Sequence, residues 1–230
     1  MKLKEILSNS PDREAYDDSL EEDVHRATSM ETPLRADAFE KDDAAKIDII
    51  EKHFTEIMLT LGLDLSDDSL RGTPRRVAKM YVQEIFSGLN PDNKPQPTLF
   101  ENKYKYHKML VEKDITLYSS CEHHFVPIIG KAHVGYVSSG YVIGLSKINR
   151  IVQYYAKRPQ VQERMTVQIA NELKDVLKTD DVAVVVDAAH LCVSSRGVQD
   201  TSSLTLTSHY SGIFEEEARK QEFLNYINMS

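Results

Sequence analysis

Both cysteines of this 230-residue chain lie beside histidines. One occurs in Cys121-Glu122-His123-His124, the other in His190-Leu191-Cys192. Thiolate and imidazole are favoured zinc ligands, and three protein ligands with an open fourth position mark a catalytic site. Cys121, His124 and Cys192 would supply such a set, leaving His123 and His190 for acid-base work beside the metal. A C-x-x-H spacing does not suit a strand, where residues i and i+3 point to opposite faces. Residues 121–124 are therefore expected in a turn at the mouth of a strand. A disulfide, or burial as two small apolar residues, are the alternatives for the cysteines. The charged region after Met1 has neither an apolar run nor a cleavage pattern, so a cytoplasmic, reducing setting is expected. A closed structural zinc site would need His123 or His190 as a fourth ligand.

Other residues could hold an anion. Arg71, Arg75, Arg76 and Lys79 cluster around Thr73-Pro74, Lys147 and Arg150 lie one turn apart, and Arg196 closely follows Cys192. A helix start behind Ser146 would add backbone N–H donors. The bland reading of each basic residue is a solvated helix face. No G-x-x-x-x-G-K-[ST] occurs, so side chains would have to hold a polyphosphate. Glu163, in Gln160-Val161-Gln162-Glu163-Arg164, lies near a helix start, where the helix dipole alone favours a carboxylate.

The elements that must position these groups follow from periodicity. Residues 1–43 are polar and acidic and read as an arm without a core of its own. From Ala44, Ile47, Ile50, Phe54, Ile57, Met58 and Leu61 recur at helical spacing. A second helix is expected from a Thr73 cap to near Gly88, completing a helical hairpin over 44–88. Residues 89–104 read as loop. Strands are expected at 109–117 and 126–137, the latter turning at Ser138-Ser139-Gly140 into a hairpin with 141–145. Ser146 is expected to cap a helix that ends at Pro159. A longer helix carries Met165, Ile169, Leu173 and Leu177. Strands at 182–186 and 200–208 and a final helix at 214–227 complete an α+β layout with an antiparallel sheet. Four strands leave exposed edges, and edge-to-edge assembly would cover them. Hydrophobic content of 41% fits a globular chain, and no apolar run approaches membrane-spanning length. The net charge of −8 argues against a general nucleic-acid binder.

Four segments together carry a resemblance: Cys121-Glu122-His123-His124-Phe125-Val126, Gly144-Leu145-Ser146-Lys147-Ile148-Asn149-Arg150, Arg158-Pro159-Gln160-Val161-Gln162-Glu163-Arg164, and His190-Leu191-Cys192 with Arg196-Gly197. In order and spacing they are similar to GTP cyclohydrolase I, over roughly residues 45–228. Met30-Glu31-Thr32-Pro33-Leu34-Arg35 also resembles the arm of bacterial members. One departure is Ser194-Ser195, where a basic residue is expected at one position, which touches only an auxiliary phosphate contact. The resemblance implies a tunnelling fold, with a core over 105–230 and subunit sheets joined into the barrel of a homodecamer. It further implies active sites shared between neighbouring subunits.

The implied reaction converts GTP and water to 7,8-dihydroneopterin triphosphate and formate. Carbon 8 of guanine is a poor electrophile, and zinc lowers the pKa of bound water from ~15.7 to about 7. His190 is then the candidate acid at N7, His123 the proton shuttle of the ribose steps, and Ser146 a further ribose partner. Glu163 would accept from guanine N1–H and the 2-amino group, with Gln162 a second contact to base or ribose. Lys147, Arg150 and Arg196, with Arg76 and Lys79 of another subunit, would hold the triphosphate. A nucleobase deaminase would need H-x-E and P-C-x-x-C, which are absent. A nitrile reductase of the same fold uses a catalytic Cys and NADPH without zinc, which the paired Cys-His clusters and basic residues speak against. A non-enzymatic module stapled by zinc would release no formate from GTP.

Overall fold

The computed structural model describes residues 29–229, and expectations for residues 1–28 lie outside the described residues. Helix α1 (Asp43–Thr60) starts at Asp42, whose side chain accepts from the Ala45 N–H at 2.8 Å. Helix α2 (Thr73–Met80) runs into a single π-type turn, Tyr81–Ile85. Thr73 is the first helical residue and Gly72 the cap, so the expected Thr73 cap is displaced by one position. Two of the basic side chains near this start bond locally: Arg75 pairs with Asp48 and Glu51 of α1, and Arg71 with Asp68.

Five strands form the main sheet, in the order β5-β2-β3-β6-β7. They are β2 (Met109–Cys121), β3 (Pro127–Val137), β5 (Pro159–Gln160), β6 (Val182–His190) and β7 (Thr205–Tyr210). All neighbours are antiparallel except β2 and β5. The expected hairpin through Ser138-Ser139-Gly140 does not form. The chain reverses there, but β4 (Tyr141–Ile143) pairs with β1 (Leu99–Glu101), inside the segment expected to be loop. β3 has β2 on one side and β6 on the other, so it offers no free edge to β4.

One face of the sheet is covered by α3 (Leu145–Ala156) and α4 (Gln162–Leu177). Ile148, Ile151, Val152, Met165, Ile169 and Leu173 meet Leu117, Val134, Tyr136, Val184 and Val186 in the principal core. β6 is continuous and β-branched because both of its faces are buried along most of its length. The second face is covered in part by α6 (Glu217–Asn228), where Phe214 and Phe223 pack on Met109, Ala183 and Val185. Beyond that cover Tyr118, Ile129 and Leu206 are exposed. The helical hairpin backs onto α3 at Gly88, whose N–H donates to Lys157 O at 2.9 Å. A Cβ there would lie 2.0 Å from Tyr154 O, so the approach needs glycine.

Candidate metal centre and active site

Sheet order assembles the site. β2 ends at Cys121 and β6 ends at His190, with β3 between them starting at Pro127. The register Ser120↔Pro127 and Ile128↔His190 places both strand ends at the same end of the sheet. β5 joins them there, with Cys121 opposite Gln160, and so delivers the start of α4. The turn after β2 is closed by Cys121 N–H to Val126 O (2.9 Å) and Phe125 N–H to Cys121 O (2.8 Å). Phe125 takes a left-handed φ of +54°, and its ring rests on Phe86, 5.0 Å between centroids. A short helical turn, α5 (Leu191–Ser194), carries Cys192 back over the start of β3.

In this arrangement the donor atoms of Cys121, His124 and Cys192 lie within 4.8 Å of one another, the only such group of three among the described residues. The turn at the mouth of a strand is as expected. A tetrahedral zinc with bonds of about 2.0–2.3 Å separates its donors by about 3.3–3.8 Å, so a closure of about 1 Å suffices. Burial pushes the Cys192 thiol up, and the neighbouring Cys121 adds to the effect. Two adjacent thiols resist ionising together, and a dication relieves that repulsion. Two sulfurs and one imidazole without a carboxylate fit zinc. Neither His123 nor His190 completes the group, which therefore has the open, three-donor form.

The other groups surround it. His123, exposed, places Nδ1 3.7 Å from Cys121 Sγ, and Nε2 3.8 Å from Glu122. His190 is half-buried, with Nε2 2.7 Å from Gln162 Oε1. Gln162 is buried, and its Nε2 faces Val186 O (3.2 Å), Thr205 O (2.8 Å) and Thr207 Oγ1 (3.2 Å). An amide that donates to this side must accept on the other, so His190 carries its proton on Nε2. The Gln162 amide, expected at base or ribose, is enclosed and engaged, with its Oε1 on His190. Burial lowers the His190 pKa, and the Glu163 carboxylate, exposed on the first turn of α4, opposes that.

The basic residues do not gather at one place. Arg196 Nη1 lies 2.7 Å from His124 Nε2, and as Arg only donates, this contact needs a bare Nε2, so a metal on Nδ1, which leaves the ring proton on Nε2, would turn Arg196 away. Lys147 and Arg150 line a separate groove of about 250 Å³ with Ser87, Asn93, Tyr154 and Lys157. Arg76 donates to Thr73 Oγ1 at 3.0 Å, and Lys79 is exposed. Ser146 is exposed on the first turn of α3 and does not cap it, since Gly144 holds that position.

An antiparallel sheet with two helices on one face, and a Cys-His-Cys group where two of its strands end, defines a tunnelling-fold protein with a metal-competent site. The model of the GTP cyclohydrolase I family matches residues 50–228. A GTP cyclohydrolase 1 of Flavobacterium johnsoniae is 59% identical over 207 residues, covering 90% of this chain and 93% of that protein. The chain is also similar to GTP cyclohydrolase 1 of Salmonella gallinarum, at 53% over 91% of this chain and 95% of that one. For that of Citrobacter koseri the figures are 54%, 87% and 91%. The chain belongs to the GTP cyclohydrolase I family.

Proposed function

We propose that this chain is a zinc-dependent hydrolase that converts GTP to 7,8-dihydroneopterin triphosphate and formate, at the entry to pterin and folate synthesis. Its membership of the family supports the reaction. The observation that carries the metal chemistry is the convergence of Cys121, His124 and Cys192 beside a His190 whose orientation is fixed. Zinc held by these three side chains supplies Lewis-acid activation of water, the strong nucleophile that carbon 8 of guanine requires.

The chain's own residues do the rest. Gln162 holds the Nε2–H of His190, so Nδ1 is the position that must first take up a proton, giving the imidazolium, before passing it to guanine N7 and making carbon 8 more electrophilic. His123, on the opposite flank of Cys121, moves protons in the later opening and reclosure of the ribose, with Ser146 assisting. Glu163, close enough to His190 to be felt by it, accepts from N1–H and the 2-amino group of guanine. Arg196 meets the triphosphate near the metal, and Lys147, Arg150, Arg76 and Lys79 come from neighbouring chains.

That last division rests on placement, because the Lys147–Arg150 groove includes no residue of the metal group. The edge strand β7 and the outer edge of β2, paired only at Ser120 and Cys121, are open for pairing with further copies. A decamer closing these edges into a barrel is the assembly proposed, with residues 44–230 the catalytic domain and 1–43 an arm. No helix among the described residues is long and apolar enough to cross a membrane, and a cytoplasmic location is part of the same reading. The test is incubation of purified protein with GTP, following formate and pterin fluorescence with and without a chelator. Both signals are expected, and both vanish with the chelator. Pterin formation that survives complete zinc removal would overturn the reading.

A further inference from the structure

Three polar side chains at four-residue spacing, Gln160, Arg164 and Gln168, run from β5 along the buried side of α4. Gln160 is fully buried, and the Arg164 side chain keeps 4% of its surface exposed. A guanidinium so deep must be paired and hydrogen-bonded. Its Nε donates to Gln160 Oε1 at 3.0 Å, and its Nη2 donates to Pro159 O at 3.2 Å and forms an ion pair with Glu122. Gln160 is held in turn: its Nε2 donates to Tyr155 O (2.8 Å) and Gln168 Oε1 (2.9 Å). Gln168 Nε2 donates to Glu31 Oε2 at 2.7 Å.

The chain of contacts ends on the metal turn. Glu122 lies between Cys121 and His123-His124, and its own N–H donates to Gln160 O at 3.0 Å. Two of the three donors leave this one short turn, which also contains a left-handed Phe125. We propose that Arg164 is a positioning residue for the metal: through Glu122 it sets the direction in which Cys121 and His124 present their donor atoms. The proposal rests on the metal reading above. Lysine could not substitute, because an ammonium cannot reach the Gln160 amide, the Pro159 carbonyl and the Glu122 carboxylate in one planar fork.

Zinc competition against a chelator, cobalt substitution and melting of the metal-free protein test it in wild type, Glu122→Gln, Arg164→Lys and the double variant Glu122→Gln/Arg164→Lys. Each single variant is expected to weaken zinc by roughly 10–100-fold, the range found for groups that orient metal ligands. The cobalt absorption bands should shift at full loading, while metal-free Glu122→Gln melts within a few degrees of wild type. If the two residues act as one strut, the double variant loses little more than the worse single one. Zinc affinity within about threefold of wild type, with unchanged cobalt bands, would overturn the proposal, as would losses that simply multiply in the double variant. Should Arg164→Lys fold poorly, Glu122→Gln alone decides, since that side chain is partly exposed. A wild-type chain that takes up no zinc would sink the metal reading itself, an outcome distinct from a zinc-binding wild type matched by Glu122→Gln.

Discussion

The metal turn and the basic groove are both assembled from residues apart in sequence, and the residues that line the groove include none of the metal donors. Around Cys121, four strand ends meet, and the ligands, their neighbouring histidines and the buried Arg164 network sit within contact distance of one another. Around Lys147 and Arg150, the groove is open and polar and is lined by neither the metal donors nor His123 or His190. The contrast teaches that the metal group is preorganised by buried partners, whereas the Lys147 and Arg150 charges stand in an open groove.

The largest effect should come from breaking the complete half. Cys192→Ser removes one of the three donors. Loss of both Lewis-acid assistance and the activated water corresponds to a fall in turnover of about 10⁴-fold or more. The protein should remain folded, since Cys192 is only packed against the edge of the principal core. Stoichiometric zinc in Cys192→Ser, measured by metal analysis, would show that the donor set is wrong.

Base selection comes next. Adenine offers neither the N1–H nor the 2-amino group, and sites built around such groups reject analogues lacking them by a factor on the order of 10⁴. Glu163→Ala should therefore collapse the preference for GTP over ATP in binding. If Glu163 only favours its helix start, the change would be roughly 0.3–1 kcal/mol of stability with the preference intact.

Proton transfer is the third. His190→Ala should slow the first hydrolysis by roughly 10²–10⁴-fold while zinc stays bound. His123→Ala should affect a later step and let a ring-opened intermediate accumulate, visible by chromatography of the quenched reaction. Wild-type turnover in His123→Ala would remove it from the ribose steps.

What was legible in the sequence follows the same divide. The metal group could be read because ligand chemistry is a property of residue type, and because C-x-x-H excludes an extended strand. The helices of the core could be read from spacing. Gln162 could not, because its role is set by carbonyls 24 and 43 residues away. Arg164 was visible only as part of a motif, although the four-residue spacing of Gln160, Arg164 and Gln168 was a signal. β1 and β4 are three residues each, too short for any period to show. The caps expected at Thr73 and Ser146 fall on Gly72 and Gly144, which have no side chain to announce them.

The smallest effect on any one parameter is the sharpest test of the comparison. Lys147→Ala/Arg150→Ala should leave zinc content unchanged and weaken GTP binding by roughly 10–100-fold per lost charge-assisted contact, from about 1.5–3 kcal/mol each. Guanosine, which lacks the phosphates, should bind as before, and equal losses for both would place these residues elsewhere. The decisive step is to mix this double variant with Cys192→Ser after controlled dissociation and reassembly. Each variant alone is impaired, but each carries the half that the other lacks. If a site takes its metal from one chain and its basic groove from a second, about a quarter of the sites in a random equimolar assembly contain both intact halves. Activity should therefore rise above that of either variant, toward about a quarter of wild type. If subunit exchange is demonstrated by mass spectrometry and activity does not rise, the groove serves the metal of its own chain, and the division drawn between the two regions is wrong.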